Sequence, residues 1–188
     1  MWTEKELYDE LSKVNHSREK RLYYANFLGA HPELVEPLLA ILFRVDDKTS
    51  CRAAWVMEFA CGQELGIILP HLDLFFQHIH RVHLDPAVRP VAKICEYLMI
   101  AYYCNESNDL RKKLTTAHKE TMVEVCFDWM INDEKVATKA YAMTILHLLG
   151  KEYDWIHPEL TIILERDFHT QSAAFRARAR HILKKLRY

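Results

Sequence analysis

The chain has 188 residues, half of them hydrophobic, and a formal net charge of −1, which suits one globular domain or one array of repeats and argues against a surface built for nucleic acid or an anionic membrane. Four glycines and six prolines are few for a fold made of tight β-turns, so helix is the expectation. Five cysteines, odd in number and without a CxxC pair, argue against a disulfide framework or zinc ribbon and are read as small core residues of a reducing cytoplasm.

The opening MWTEKELYDELSKV carries acids where a signal peptide carries a basic region and an apolar core, so a cytoplasmic protein without export is expected. No apolar run approaches the roughly 20 residues that span a bilayer, so no membrane contact is expected. Apolar residues then recur at helical spacing in about ten segments. Polar turns separate them: NHS at 15–17, HP at 31–32, DDKTS at 46–50, LDP at 84–86, NESND at 105–109, INDE at 131–134, WIHP at 155–158 and HTQS at 169–172.

The segments pair, and the second members align on a basic residue. Arg52 opens RAAWVMEF, Arg89 opens RPVAKICEYL, Lys139 opens KAYAMTIL and Arg176 opens RARARHIL, at intervals of 37, 50 and 37 residues; REKRLYYANFLG from Arg18 marks an earlier, shorter unit. The NESND loop is read as the source of the longer middle interval. A period in this range predicts a stacked solenoid, because one helix pair cannot bury its apolar face alone.

The stretch EPLLAILFRVDDKTSCRAAWVMEFACG, residues 36–62, resembles a HEAT repeat: a first helix with an early proline and leucine pairs, a turn with Asp, then a second helix with Arg, small residues and a terminal Gly. Residues 70–97 and 122–150 resemble it less closely, and the two ends least. The resemblance identifies the chain with the HEAT-like, armadillo-type helical solenoids, as a small member of bacterial type. It implies an all-α fold, an α-α superhelix of about five antiparallel helix pairs, with residues 1–188 forming a single repeat domain. It also implies a ladder of turn Asp and second-helix base, Asp46 with Arg52 and Asp133 with Lys139. The spacing shortens for Asp85 with Arg89, and Thr170 stands where the last acid would be. Pro37 and Pro70 fall in first helices, where a lost backbone bond gives a kink.

Within such a fold the second helices are expected to line the concave side, where repeat proteins bind. Arg89, Lys93, Glu96, Tyr97 and Tyr103 share one side of a helical wheel. The matching stripes elsewhere hold Glu19, Tyr23 and Asn26, and Ala140, Thr144 and His147, with Trp55 and Glu58 beside them on the second unit. Aromatics mixed with both charge signs suit a protein or peptide partner, although any amphipathic helix shows a solvated stripe of this kind. Glu58 is left with two readings: it reaches the groove, or it satisfies a base of the next unit such as Arg89 or Lys93. Arg52 is read as structural, paired with Asp46 or an acid of an adjacent repeat.

Other clusters are given their plainer reading. His71, His78, His80 and His83 are placed at the border of a first helix's apolar stripe, His83 toward Leu72, Phe76 and Ile79, rather than on a metal. Glu120, Glu124 and Asp128 at i+4 steps are read as a solvated ridge rather than an acid–base site. In SAAFRARARHILKKLRY, Phe175, Ala179, Ile182 and Leu186 form an apolar stripe and Arg176, Arg180, Lys184 and Arg187 a basic one, read first as the polar face of a capping repeat. The alternative for that basic stripe is phosphate contact. It belongs to a second functional reading, a DNA-binding or alkylpurine DNA glycosylase-type repair protein, the activity of one group of HEAT-like proteins. No Walker loop, GxGxxG, HExxH or GxSxG occurs, and the Gly-Ser-Ser-x-Met-Pro loop of the fumarase and adenylosuccinate lyase superfamily is missing. The reading is a non-enzymatic scaffold or adaptor, with no metal and no cofactor.

Overall fold

The computed structural model describes residues 2–104 and 108–187, the side chains of residues 104 and 108 excepted. Among the described residues the chain is all-α, with eleven helices and no strand. It divides into two compact units, Met1–Tyr97 and Leu98–Tyr188. Ten of the helices form five consecutive pairs, as the periodicity predicts, and the eleventh is a short extra element.

The first unit begins with α1 (Glu4–Leu11) and α2 (Arg18–Ala30). A capping box between Thr3 and Glu6 starts α1, and the Ser17 hydroxyl caps α2, each satisfying amide groups that a helix start leaves open. A 3-10 turn at Pro32–Leu34 leads into α3 (Val35–Leu42), and α4 (Lys48–Gln63) follows. Thr49 and Ser50 lie inside α4, because the helix starts as soon as Asp47 supplies its cap: the Asp47 carboxylate accepts from the Thr49 amide at 2.8 Å and from the Tyr8 hydroxyl at 2.7 Å. These bonds, the Thr49 amide's first, hold the Asp47 carboxyl below its ordinary range. They also tie α1 to the turn before α4.

The next pair begins less regularly. A 3-10 segment, Leu65–His71, precedes α5 (Leu72–His78), a second at Ile79–Arg81 ends it, and α6 (Asp85–Cys104) follows. His83 therefore lies beyond the helix, exposed and 3.3 Å from Asp46, rather than on the apolar side, while Leu72, Phe76 and Ile79 are buried as anticipated. Of the two expected prolines, Pro37 falls in a first helix and Pro70 does not. Pro37 occupies the first turn of α3, whose amides have no helical acceptor anyway, and Pro70 lies in the 3-10 segment. The proline inside a long helix is Pro90, in α6.

The second unit holds the end of α6, then α7 (Asn108–Lys113), α8 (Thr116–Ile131), α9 (Val136–Leu149), α10 (Ile156–Asp167) and α11 (Ala173–Leu186). Residues 105–107 of the NESND loop lie outside the described residues, and α7 shows that the long middle interval contains helix as well as loop. Ile156 opens α10, so the preceding turn lies earlier than the WIHP reading puts it. Glu120, Glu124 and Asp128 are exposed along α8, as the ridge reading expects. On α11 Phe175, Ala179 and Ile182 are buried.

The core of each unit comes from the apolar faces that periodicity marks. Leu38, Leu42, Met57 and Phe75 are buried in the first, and Met143, Leu146 and Phe175 in the second. Burying one such side chain contributes roughly 1.5–3 kcal/mol. Cys51, Cys61, Cys95 and Cys126 are buried free thiols, and burial pushes the Cys61 and Cys95 thiols up from their ordinary value. They pack as small apolar residues.

The anticipated Asp-to-base ladder is not what the bases do. Asp46 is turned to solvent toward His83, and Arg52 has no ion-pair partner among the described residues. Lys139 is buried and donates to the Met130 carbonyl at 3.2 Å, not to Asp133. A carbonyl in the last turn of α8 lacks a helical donor and sits at the negative end of the helix dipole, so a cation there replaces the missing bond. No described helix is long and apolar enough to cross a membrane.

Candidate functional site

The second helices of the first three pairs, α2, α4 and α6, bring several of the anticipated residues together in the first unit. A groove of about 410 Å³ is lined by Arg18, Arg21 and Leu22 from α2, by Glu58, Phe59, Gly62 and Gln63 from α4, and by Arg89 and Tyr97 from α6. At its floor Arg89 donates to the Glu58 carboxylate at 2.6 Å. Glu58 therefore serves a base of the next pair, the second of its two readings, and is among the residues that line the groove. Burial pushes the Glu58 carboxyl up from its ordinary value, against the opposing pull of Arg89 and, more weakly, Arg21 and Lys93.

The walls combine cations with aromatic rings. The Arg21 guanidinium lies 4.7 Å from the centre of the Phe59 ring and donates to the His16 carbonyl at 2.9 Å. Lys93 donates to Glu96 at 2.7 Å and sits 4.7 Å from the Tyr97 ring centre. Glu96, read as part of a surface stripe, is only 3% exposed and anchors Lys93. Gly62 lets the Tyr97 ring approach α4, since a Cβ there would come within 3.2 Å of the Tyr97 hydroxyl. Asn26 on α2 accepts from the groove residue Gln63 at 2.7 Å, and Tyr23, outside the groove lining, is 61% exposed on the same helix.

Trp55 has a structural bond. Its indole Nε1 donates to the Pro86 carbonyl at 2.8 Å. Pro90, four residues on, has no amide with which to close that helical bond, and the indole takes its place.

The remaining anticipated residues belong to the second unit. Tyr103 donates to Glu152 at 2.7 Å, and the buried Lys119 donates to the same carboxylate at 2.5 Å and to the Tyr102 hydroxyl at 3.2 Å. Burial pushes the Glu152 carboxyl up, but the bonds from Lys119 and Tyr103 outweigh it and leave the group below its ordinary value. Burial, reinforced by Glu152, pushes the Tyr103 hydroxyl up. His147 is stacked on His157 with ring centres 5.6 Å apart, and its buried Nδ1 lacks a hydrogen-bond partner. Burial, then Lys185, His157, Lys151 and His181, lower it to about 4. Lys119 and this network carry no sequence signal beyond a lysine inside an apolar pattern.

On α11, Arg180 and Lys184 are exposed, Arg180 over the Phe168 ring at 5.7 Å from its centre, and Arg187 lies 3.7 Å from Glu165. Among the described residues no three His, Cys, Asp or Glu gather as a metal-holding group. Nothing among curated proteins or solved structures matches the chain. The model of the HEAT repeat domain family matches residues 7–186, in agreement with the helix pairs and with the all-α solenoid class that the family implies. The chain belongs to the HEAT repeat domain family.

Proposed function

We propose that the chain is a non-enzymatic scaffold or adaptor that binds a protein or peptide partner through the second-helix face of its first unit. The observation that carries this reading is the groove between α2, α4 and α6, with the exposed Leu22 in its lining and the exposed Tyr23 following it on α2. Arginine and aromatic side chains beside a concave, partly apolar surface are the composition of protein-binding hot spots. The HEAT repeat family supports it, since helical repeats serve as extended binding surfaces. Within this reading Tyr23, Asn26 and Lys93 offer contacts to the partner, whereas Glu58, Glu96 and Trp55 set the shape of the surface.

Affinity capture from a native lysate tests the proposal, using wild type beside a Tyr23→Ala, Asn26→Ala variant whose helix content is unchanged. Loss of captured proteins in the variant supports the binding face. Identical protein lists contradict it.

A further inference from the structure

We infer that the groove between α2, α4 and α6 takes a carboxylate-bearing segment of a protein partner, an inference that rests on the scaffold reading above. The groove's charges do not balance. Its lining holds three guanidinium groups, Arg18, Arg21 and Arg89, and one carboxylate, Glu58. Glu58 is committed to Arg89 at 2.6 Å. Arg21 is held by the carbonyls of His16 and Ser17 and by the Phe59 ring, none of which carries a charge to offset its own. Arg18 is exposed and has no hydrogen-bond or ion-pair partner among the described residues. Lys93 adds a fourth cation close enough to act on Glu58, although Glu96 pairs with it.

This local excess stands out in a chain whose net charge is −1, so it is a feature of the groove and not of the whole surface. A guanidinium presents a planar fork of donors that matches a carboxylate with two parallel bonds. Phe59, Tyr97 and Leu22 supply apolar wall for the stem of an acidic side chain and for an apolar neighbour in the same segment. A cleft of about 410 Å³ suits side chains rather than a duplex, which also needs a longer row of cations to follow its phosphates. The occupant is therefore an acidic peptide segment with an apolar residue beside its carboxylates.

Fluorescence anisotropy with the full chain tests this, using a short fluorescein-labelled peptide of alternating Glu and Phe, its Lys-for-Glu counterpart, and a short DNA duplex. Arg18→Glu is the informative variant. It opens α2, where an acid favours the helix dipole, so the fold is not threatened. The acidic peptide is expected to bind saturably and the basic one not, with affinity falling about tenfold or more in Arg18→Glu and largely retained in Arg18→Lys. The inference is overturned if neither peptide binds, if both bind alike, or if Arg18→Glu leaves affinity unchanged. Duplex DNA bound with the same dependence on Arg18 also overturns it, in favour of phosphate. If the acidic peptide fails while Tyr23→Ala, Asn26→Ala still strips captured partners, the groove's charge reading falls and the scaffold reading stands. If both fail, both readings fall.

Discussion

The Trp55 indole donates to the Pro86 carbonyl at 2.8 Å, and this is the carbonyl that Pro90 leaves without a helical amide. A side chain of α4 thus completes the backbone of α6. The aromatic residue anticipated for the binding face is fixed by a bond between α4 and the start of α6.

Trp55→Phe keeps most of the ring and removes the donor, and its expected cost is about 1 kcal/mol. In a Pro90→Ala background the backbone amide can close the helical bond, so the same change is expected to cost much less. Urea unfolding of the four proteins in a double-mutant cycle measures this coupling. Strictly additive costs would show that the indole and the proline are independent.

Removing the base from the Glu58–Arg89 pair leaves a carboxylate stranded below the surface. Arg89→Ala is expected to destabilise by roughly 2–3 kcal/mol, below the full penalty for a deeply buried pair because Arg89 is partly exposed. Adding Glu58→Gln to that variant neutralises the stranded charge and is expected to restore part of the loss. If the double variant is as unstable as the sum of the singles, the pair is not the floor of the groove.

Gly150 closes α9 where the His157 ring crosses it: a Cβ at this position would lie 2.0 Å from the ring. Gly150→Ala must displace His157 and break its bond to the His147 carbonyl, which is 2.9 Å long. A cost of about 1–3 kcal/mol is expected, from overpacking alone. Thermal melts of the pair of proteins measure it, and an unchanged midpoint would show that His157 has room to move.

His147 links stability to pH. Burial holds it at about 4 in the folded chain, against an ordinary histidine value of about 6.5. As pH falls from about 6.5 toward 4 the unfolded chain takes up a proton that the folded chain refuses, so His147 withdraws stability over that window. His147→Gln is expected to flatten the decline between those values, with the difference vanishing above neutral pH. Denaturation midpoints across the window supply the comparison, and parallel curves for the two proteins would refute the assignment.

The helix pairs are legible in the sequence because apolar residues at 3.6-residue spacing report burial directly. The capping residues mark helix starts nearly as well, and where the reading of DDKTS runs late the cap is simply the second aspartate. The site is legible only in part. Arg89, Lys93, Glu96 and Tyr97 do share a region, yet spacing along one helix does not show that Glu96 is buried or that Glu58 takes the Arg89 charge. Arg52 illustrates the converse: the repeat pattern supplies a partner, Asp46, that the turn aims at solvent and His83. Bonds such as Trp55 to Pro86 and Lys119 to Glu152 join residues more than thirty positions apart, and no local pattern encodes them.

Engagement of a partner by the second-helix face of the first unit is measured most directly by site-specific photocrosslinking. A benzoylphenylalanine is placed at Tyr23 on α2 or, in a separate protein, at the exposed Glu36 on the first helix α3. Each protein is irradiated with native lysate. A partner adduct from position 23 that position 36 does not form is the expected result. Adducts from position 36 alone would place the binding surface on the first helices and contradict the account.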